Sequence, residues 1–126
     1  MADWVIETTE KYDRVYKYYE KKHPLELGAV INNLSAYLQA LKVGTHPQFI
    51  QAGYIHHESA GIKALDQKGS GKKRKLQQTR LYIYPELEKK ALYLISIGDK
   101  TSQKADIKEA VKFVEALKGE EHGKAI

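Results

Sequence analysis

The sequence predicts an α+β fold, a small antiparallel sheet flanked by two N-terminal helices and one C-terminal helix. Two segments with helical spacing of apolar residues occupy the first third of the chain, and three strand-like segments follow from about residue 60. A further helical segment comes after the strands. Each segment has an apolar side that must be covered, so the simplest arrangement packs the helices on the sheet. At 126 residues the chain has the length of a single domain, which we expect to span residues 1–126.

The first two helices are predicted from apolar residues spaced by three and four. After a short strand over residues 3–7, Thr8 or Thr9 can cap a helix near 9–22. The second helix, near 25–43, has the clearest pattern in the chain. Its apolar positions share one side, which we expect to be buried: Leu27, Ile31, Leu34, Leu38 and Leu41.

The second half of the chain changes to strand-like composition, rich in Ile, Leu and Tyr. The predicted strands are 61–67, 79–85 and 91–97. Only five residues separate the last two, a length that suits an antiparallel hairpin. The closing helix is predicted near 104–118, with Gly119 as its end and 119–126 as a frayed tail. The segment 45–60 is either an irregular connection or contains an extra short strand around Tyr54 and Ile55.

The positive charge is concentrated in one segment. Residues 68–75 carry five positive charges, and the rest of the chain has equal numbers of basic and acidic residues, so this segment accounts for the formal net charge of +5. Such a run favours contact with a polyanion through Lys72, Lys73, Arg74 and Lys75, although a solvated loop would have the same composition. The chain has no cysteine, which excludes disulfides and thiolate chemistry. Without a secretory signal or a membrane-spanning apolar run, we expect a cytoplasmic protein with no membrane partner.

The strand over residues 79–84 alternates in character. Leu81 and Ile83 point to one side, which we expect to face the helices, while Arg80, Tyr82 and Tyr84 point to the other. A guanidinium binds phosphate and tyrosine rings can stack on unpaired bases, so the second side suits single-stranded RNA. The alternative is a sheet face on which tyrosine occurs only as a good strand former.

Several polar residues elsewhere are candidates for chemistry. Lys63 and Lys100 could flank Arg80, although each alone is typical of a surface lysine. The histidines at 46, 56 and 57 match no standard metal-site spacing, and we expect neither a metal nor a cofactor. His57 is a candidate for proton transfer because histidine titrates near neutral pH.

Residues 60–117 resemble the RelE/HigB toxin superfamily. The resemblance rests on the strand that Arg80 opens, the hairpin, the apolar strand ending in Gly98-Asp99-Lys100, and a helix containing Glu109-Ala110-Val111. It implies a small sheet flanked by helices and an enzyme that cuts mRNA in the ribosomal A site without a metal. The cut occurs by attack of a ribose 2′-hydroxyl on the adjacent phosphate. The implied partners are the ribosome, mRNA and a cognate antitoxin.

The resemblance also implies a set of catalytic residues. Arg80 matches the strand arginine, Lys100 a basic position after the last strand, and Lys63 a basic residue of the preceding strand. Some members use a tyrosine in the closing helix, where this chain has Ala105-Asp106-Ile107. Asp106, Tyr84 and His57 are candidates to replace it. Two alternatives remain open, a non-catalytic toxin of the same fold, as in the gyrase-poisoning ParE group, and an inactive RNA-binding or interaction module.

Overall fold

The described residues form three α-helices and a five-stranded mixed sheet. The computed structural model describes residues 3–69 and 75–125, with side chains as far as 120. The elements in chain order are β1 (Val5–Thr8), α1 (Glu10–Lys22), α2 (Pro24–Lys42), β2 (Ile55–His57), β3 (Lys63–Leu65), β4 (Thr79–Glu86), β5 (Ala91–Asp99) and α3 (Gln103–Ala125). The predicted α+β class, with two N-terminal helices and one C-terminal helix, is confirmed.

The sequence predicts an antiparallel sheet, whereas the sheet in the structure is mixed. Its strand order is β1-β5-β4-β3-β2, and the pairs from β2 to β5 are antiparallel. β1 runs parallel to β5, with Val5 opposite Ala91. These two strands are far apart in sequence, so their relative direction depends on how the intervening helices return the chain, which no local pattern records.

The strand boundaries differ most around residue 60. The strands predicted at 79–85 and 91–97 are confirmed, but the strand predicted at 61–67 contains only Lys63–Leu65. Ala60 and Gly61 both have positive φ, so the chain turns sharply immediately before β3. The ambiguous segment 45–60 contains short 3₁₀ turns and also the extra strand β2.

The two N-terminal helices cover one side of the sheet. The Thr9 hydroxyl caps α1 by accepting the Tyr12 N–H at 2.9 Å, and it donates to the Ile95 carbonyl of β5 at 2.6 Å. In α2, the side chains of Leu27, Leu34 and Leu41 are buried. The other two residues of the predicted stripe are half-buried and pack against the same core. The stripe therefore faces the sheet, as predicted.

The opposite side of the sheet is covered by α3. Ala110 and Val114 of α3 form a second core with Ile62, Tyr82 and Ile95 from the sheet. Arg80, Tyr82 and Tyr84 were expected on an open face, whereas the described structure has helices on both faces of the sheet. The helices on both faces limit the part of the sheet that a ligand can reach.

The closing helix is longer than predicted. It continues through Gly119 to Ala125, so the helix end expected at Gly119 is wrong. A glycine inside an exposed helix costs about 1 kcal/mol relative to alanine, which weakens a helix without ending it. Ile126, the last residue of the predicted frayed tail, lies outside the described residues. Within the described part of the chain, no helix combines the length and apolar character needed to cross a membrane.

Asn33 of α2 holds the segment that follows β3. Its amide donates to the carbonyls of Asp66 and Lys68, at 2.8 and 2.9 Å. The Asp66 carboxylate, itself buried, accepts the Lys68 N–H at 2.8 Å and lies 2.7 Å from the His56 Nε2. The start of the basic segment is therefore anchored to both α2 and β2.

Asn33→Ala is expected to lower the free energy of unfolding by about 1–3 kcal/mol, because it leaves a buried carbonyl without its donor. Chemical denaturation of both variants measures the difference. The matched control is Asn32→Ala, since Asn32 is the exposed neighbour on the same helix and should change stability by less than about 0.5 kcal/mol. Equal losses of unfolding free energy in the two variants would show that the Asn33 hydrogen bonds do not contribute to stability.

Candidate functional site

Lys63 and His57 form a contact between two titratable side chains that can exchange protons. The antiparallel register of β2 and β3 places these two residues opposite each other. The Lys63 Nζ lies 2.8 Å from the His57 Nδ1. Lys63 is only 9% exposed, whereas His57 is open to solvent. A buried lysine is thus in contact with a histidine that solvent can reach.

The environment favours loss of protons from both groups. Burial lowers the pKa of Lys63 because an ammonium loses hydration in the protein. Burial also lowers the pKa of His57, and the positive charge of Lys63 and the neighbouring His56 lower it further. Such shifts bring a lysine toward the range in which it can exchange protons with a substrate.

The Lys63–His57 pair can adopt two proton arrangements. In one, the Lys63 ammonium donates to Nδ1, and the outer Nε2 of His57 carries the imidazole hydrogen. Loss of one proton converts the pair to the second arrangement, in which Nδ1–H donates to the lysine amine and Nε2 has a free lone pair. The pair is then a base at Nε2, and it becomes an acid when the proton returns.

The Lys63 side of this pair borders a surface cleft of about 520 Å³. Lys63 lines this cleft, together with segments from the 3₁₀ turn at Pro47–Phe49, the end of β4 and the later part of α3. A volume of this size accommodates a ligand as large as a nucleotide. Of the predicted site residues, Lys63 and Tyr84 line the cleft.

Arg80 lies elsewhere on the sheet, opposite Gly98 of β5. Its side chain is 14% exposed, and Nη1 lies 3.8 Å from the Glu58 Oε2. The Arg80 Nε is buried without a hydrogen-bond partner among the described residues. The Arg80 side chain is therefore largely buried and paired with an acid, not free on an open face. Sequence reasoning did not identify Glu58 as the partner of Arg80, since β2, which immediately precedes Glu58, was left open as a strand.

Tyr82 cannot stack on a base in this conformation. Its side chain is 0% exposed beneath α3, and burial raises its pKa. The hydroxyls of Tyr82 and Ser96, which face each other across β4 and β5, have no hydrogen-bond partner among the described residues. The prediction of an exposed tyrosine is wrong at this position because the strand pattern does not reveal that a later helix covers the face.

Tyr84 is half-buried and its ring is held by several neighbours. It stacks on Tyr93 at 6.3 Å between ring centroids, and the Lys118 Nζ lies 5.9 Å from its centroid. Gly61 approaches it so closely that an added Cβ would lie 3.2 Å from the ring. Tyr84 therefore forms a fixed wall of the cleft.

Asp106 lies at the junction of α3 and β5 and is only 5% exposed. Its carboxylate accepts the Ser102 hydroxyl at 2.7 Å, and the Lys11 Nζ lies 3.8 Å away. Burial is the main cause that raises the pKa of Asp106. The structure thus places Asp106 in a packed junction close to Gly98, where an added Cβ would meet its carboxylate.

The remaining predicted residues lie on the surface or outside the described residues. Lys100 is exposed in the turn after β5. Lys75 is exposed, while Lys72, Lys73 and Arg74 lie outside the described residues. Within the described residues, no three His, Cys, Asp or Glu side chains form a group that could hold a metal.

Comparison with known proteins gives no match: no family model, no curated protein and no solved structure is significantly similar to the chain.

Proposed function

We propose that this chain is a RelE-like toxin, a ribosome-dependent endonuclease that cleaves mRNA without a metal. The observation that carries the proposal is the Lys63–His57 pair, whose two pKa values are both lowered beside an open cleft. Its partners are the ribosome, mRNA and a cognate antitoxin that keeps it inactive. The element order, with two helices before the antiparallel strands and one after, supports the resemblance.

The reaction needs one base, one acid and positive charge at the phosphate. The Lys63–His57 pair takes the proton of the 2′-hydroxyl at the His57 Nε2, and the 2′-oxygen forms a bond to phosphorus. The bond from phosphorus to the 5′-oxygen breaks, and the leaving oxygen takes a proton from solvent water. The protonated pair then returns its proton to the solvent. The products are a 2′,3′-cyclic phosphate and a 5′-hydroxyl. Positioned donors that meet the charge developing on phosphate lower the barrier.

Arg80 and Lys100 are the remaining candidates to supply that charge. The ion pair of Arg80 with Glu58 is long, at 3.8 Å, and 14% of the Arg80 side chain is exposed. A phosphate can therefore compete for the guanidinium. Lys100 is exposed beyond β5 and is suited to hold the RNA backbone. In this proposal His57 takes the place of the helix tyrosine that some family members use.

A non-catalytic toxin of the same fold is the second candidate. The observations that favour it are the Arg80–Glu58 ion pair and the complete burial of Tyr82, which reduce the surface open to RNA. Such a toxin would arrest growth through a protein target and leave mRNA intact.

Expression of the chain without an antitoxin should arrest growth and cut mRNA on ribosomes. Primer extension locates the cuts, and end-group analysis should find cyclic phosphates and 5′-hydroxyls. Growth arrest with intact mRNA would reject the nuclease and support the non-catalytic toxin. Normal growth with intact mRNA, at verified expression, would reject both proposals.

A further inference from the structure

One edge of the sheet, the outer side of β1, is open to solvent. All four residues of Val5–Thr8 are exposed. Two of them are large and apolar, since Val5 is 52% and Ile6 44% exposed. Successive side chains of a strand point to opposite faces, so β1 is uncovered on both faces of the sheet. The helices that pack on the two faces therefore do not cover this edge.

The backbone of β1 has unpaired groups along the same edge. In a parallel ladder every second residue directs both its N–H and its C=O to the neighbouring strand. Val5 and Thr9 donate their N–H groups at 2.8 and 3.2 Å to carbonyls of β5 and of the residue before it, so the odd-numbered residues face β5. Ile6 and Thr8 then direct their N–H and C=O groups outward, where no described residue bonds them. Such an edge is a template for a further strand.

The opposite edge of the sheet is less suited to pairing. It is formed by β2, which has only three residues and lies between two 3₁₀ turns. Very short edge strands, lysine, proline and bulges are features that keep an edge from pairing with another chain. β1 contains no lysine and no proline, and its register with β5 is continuous. The β1 edge is therefore the one to which a strand can be added.

A second copy of the chain supplies a strand that matches this edge. Two β1 edges related by a twofold axis pair in antiparallel orientation, and each copy brings the helices that cover its own sheet. A register centred on Ile6 places Val5 opposite Glu7 of the second copy. Registers centred on Val5 or on Glu7 would place Asp3 opposite Glu7 or the two Glu7 residues opposite each other, and like charges directly opposite are destabilising. Charge therefore favours the register centred on Ile6.

We propose that the chain forms a symmetric dimer in which two β1 strands pair antiparallel and join the two sheets into one. The Ile6 side chains meet at the axis, and the outward groups of Ile6 and Thr8 form the new hydrogen bonds. The interface is small, so the expected dissociation constant is about 10 µM to 1 mM. The dimer does not rest on the proposed function, because β1 contributes no residue to the Lys63–His57 pair.

Sedimentation velocity of the full chain, from about 1 µM to 1 mM, tests for the dimer. Trp4 is the single tryptophan of the chain and lies opposite Thr8 of the second copy in this register. Its fluorescence should therefore change along the same concentration curve. A monomer at all concentrations would overturn the proposal and leave the edge to a strand of a different chain.

Ile6→Lys should weaken dimerisation about tenfold or more, because it removes the apolar contact and places two positive charges opposite each other. The matched control is Val43→Lys, which adds the same charge at a residue that is 75% exposed, beyond the end of a helix that packs on β3 and β4. It should dimerise as the wild type does.

Ile6→Pro removes an N–H that faces outward, so it should abolish the dimer and keep the ladder with β5. Circular dichroism and thermal unfolding verify the fold of all three variants. A folded Ile6→Lys variant that dimerises with wild-type affinity would place the interface elsewhere and overturn the proposal.

Discussion

Replacement of Lys63 by methionine is expected to reduce mRNA cleavage by a hundredfold or more. Methionine keeps a long unbranched side chain in the buried position of Lys63 but removes the amine that contacts the His57 Nδ1. General acid–base catalysis by one positioned group commonly contributes about 10²–10⁴-fold in rate. Rates on ribosome-bound mRNA, and growth after induction, measure the loss.

The same substitution has a consequence that does not depend on activity. The charge of Lys63 is one of the causes that lower the pKa of His57, so its removal should raise the pKa of His57 toward the ordinary 6.5. Desolvation, the larger cause, remains and limits the rise. An NMR titration of the His57 ring detects the change. An unchanged pKa would show that the two side chains do not interact in solution.

The pH dependence follows from the direction of these shifts. The base is the Lys63–His57 pair after loss of one proton, so cleavage should increase as pH rises. Because both pKa values are lowered, the midpoint of the increase should lie below 10.5, the ordinary pKa of lysine. For the Lys63→Met variant, the control for lost charge and for expression is Lys21→Met, since Lys21 is exposed on α1. Full cleavage by the Lys63 variant, with folding intact, would remove the pair from the mechanism.

Gly98→Ala is expected to destabilise the protein by about 2–4 kcal/mol, which lowers the melting temperature by roughly ten degrees. A Cβ at this position would lie 1.8 Å from the Asp106 Oδ2 and 2.6 Å from the Ser102 Oγ. Asp106 lies in the first turn of α3 and Ser102 immediately precedes the helix, so the start of the helix must shift to make room. Thermal and chemical denaturation measure the loss.

A second substitution tests this cause. Adding Asp106→Ala to Gly98→Ala removes the carboxylate that would clash, so the two changes should couple by at least about 1 kcal/mol. The contact with Ser102 persists and makes the recovery partial. Gly28→Ala is the control, because nothing lies within 4 Å of its added Cβ and alanine favours the helix by about 1 kcal/mol. Additive losses at 98 and 106 would contradict the proposed clash.

Local sequence patterns were sufficient for the three helices, for β4 and β5, and for one face of the core. The spacing of Leu27, Leu34 and Leu41 identified the buried side of α2, since residues three and four apart lie on the same side of a helix. The alternation around Leu81 and Ile83 identified the strand side that meets the N-terminal helices. Helix ends were less accurate, because Gly119 lowers helix stability without ending the helix.

The candidate site depended more on tertiary structure. Lys63, Tyr84 and His57 were identified from sequence, but the contact between Lys63 and His57 requires β2, a strand that local patterns left open. The same applies to Glu58, which follows β2 and approaches Arg80. Cross-strand register brings such residues together, and register is set by the whole sheet.

The sequence by itself determined the α+β class, the number and order of the predicted helices, and the concentration of positive charge in residues 68–75, since each depends on neighbouring residues alone. Only the tertiary structure decided that β1 runs parallel to β5, that α3 buries Tyr82, and that the lysine at 63 is buried against a histidine. Whether the second face of a strand is buried depends on a helix that comes later in the chain. The free energy of that burial arises only when the two surfaces pack together.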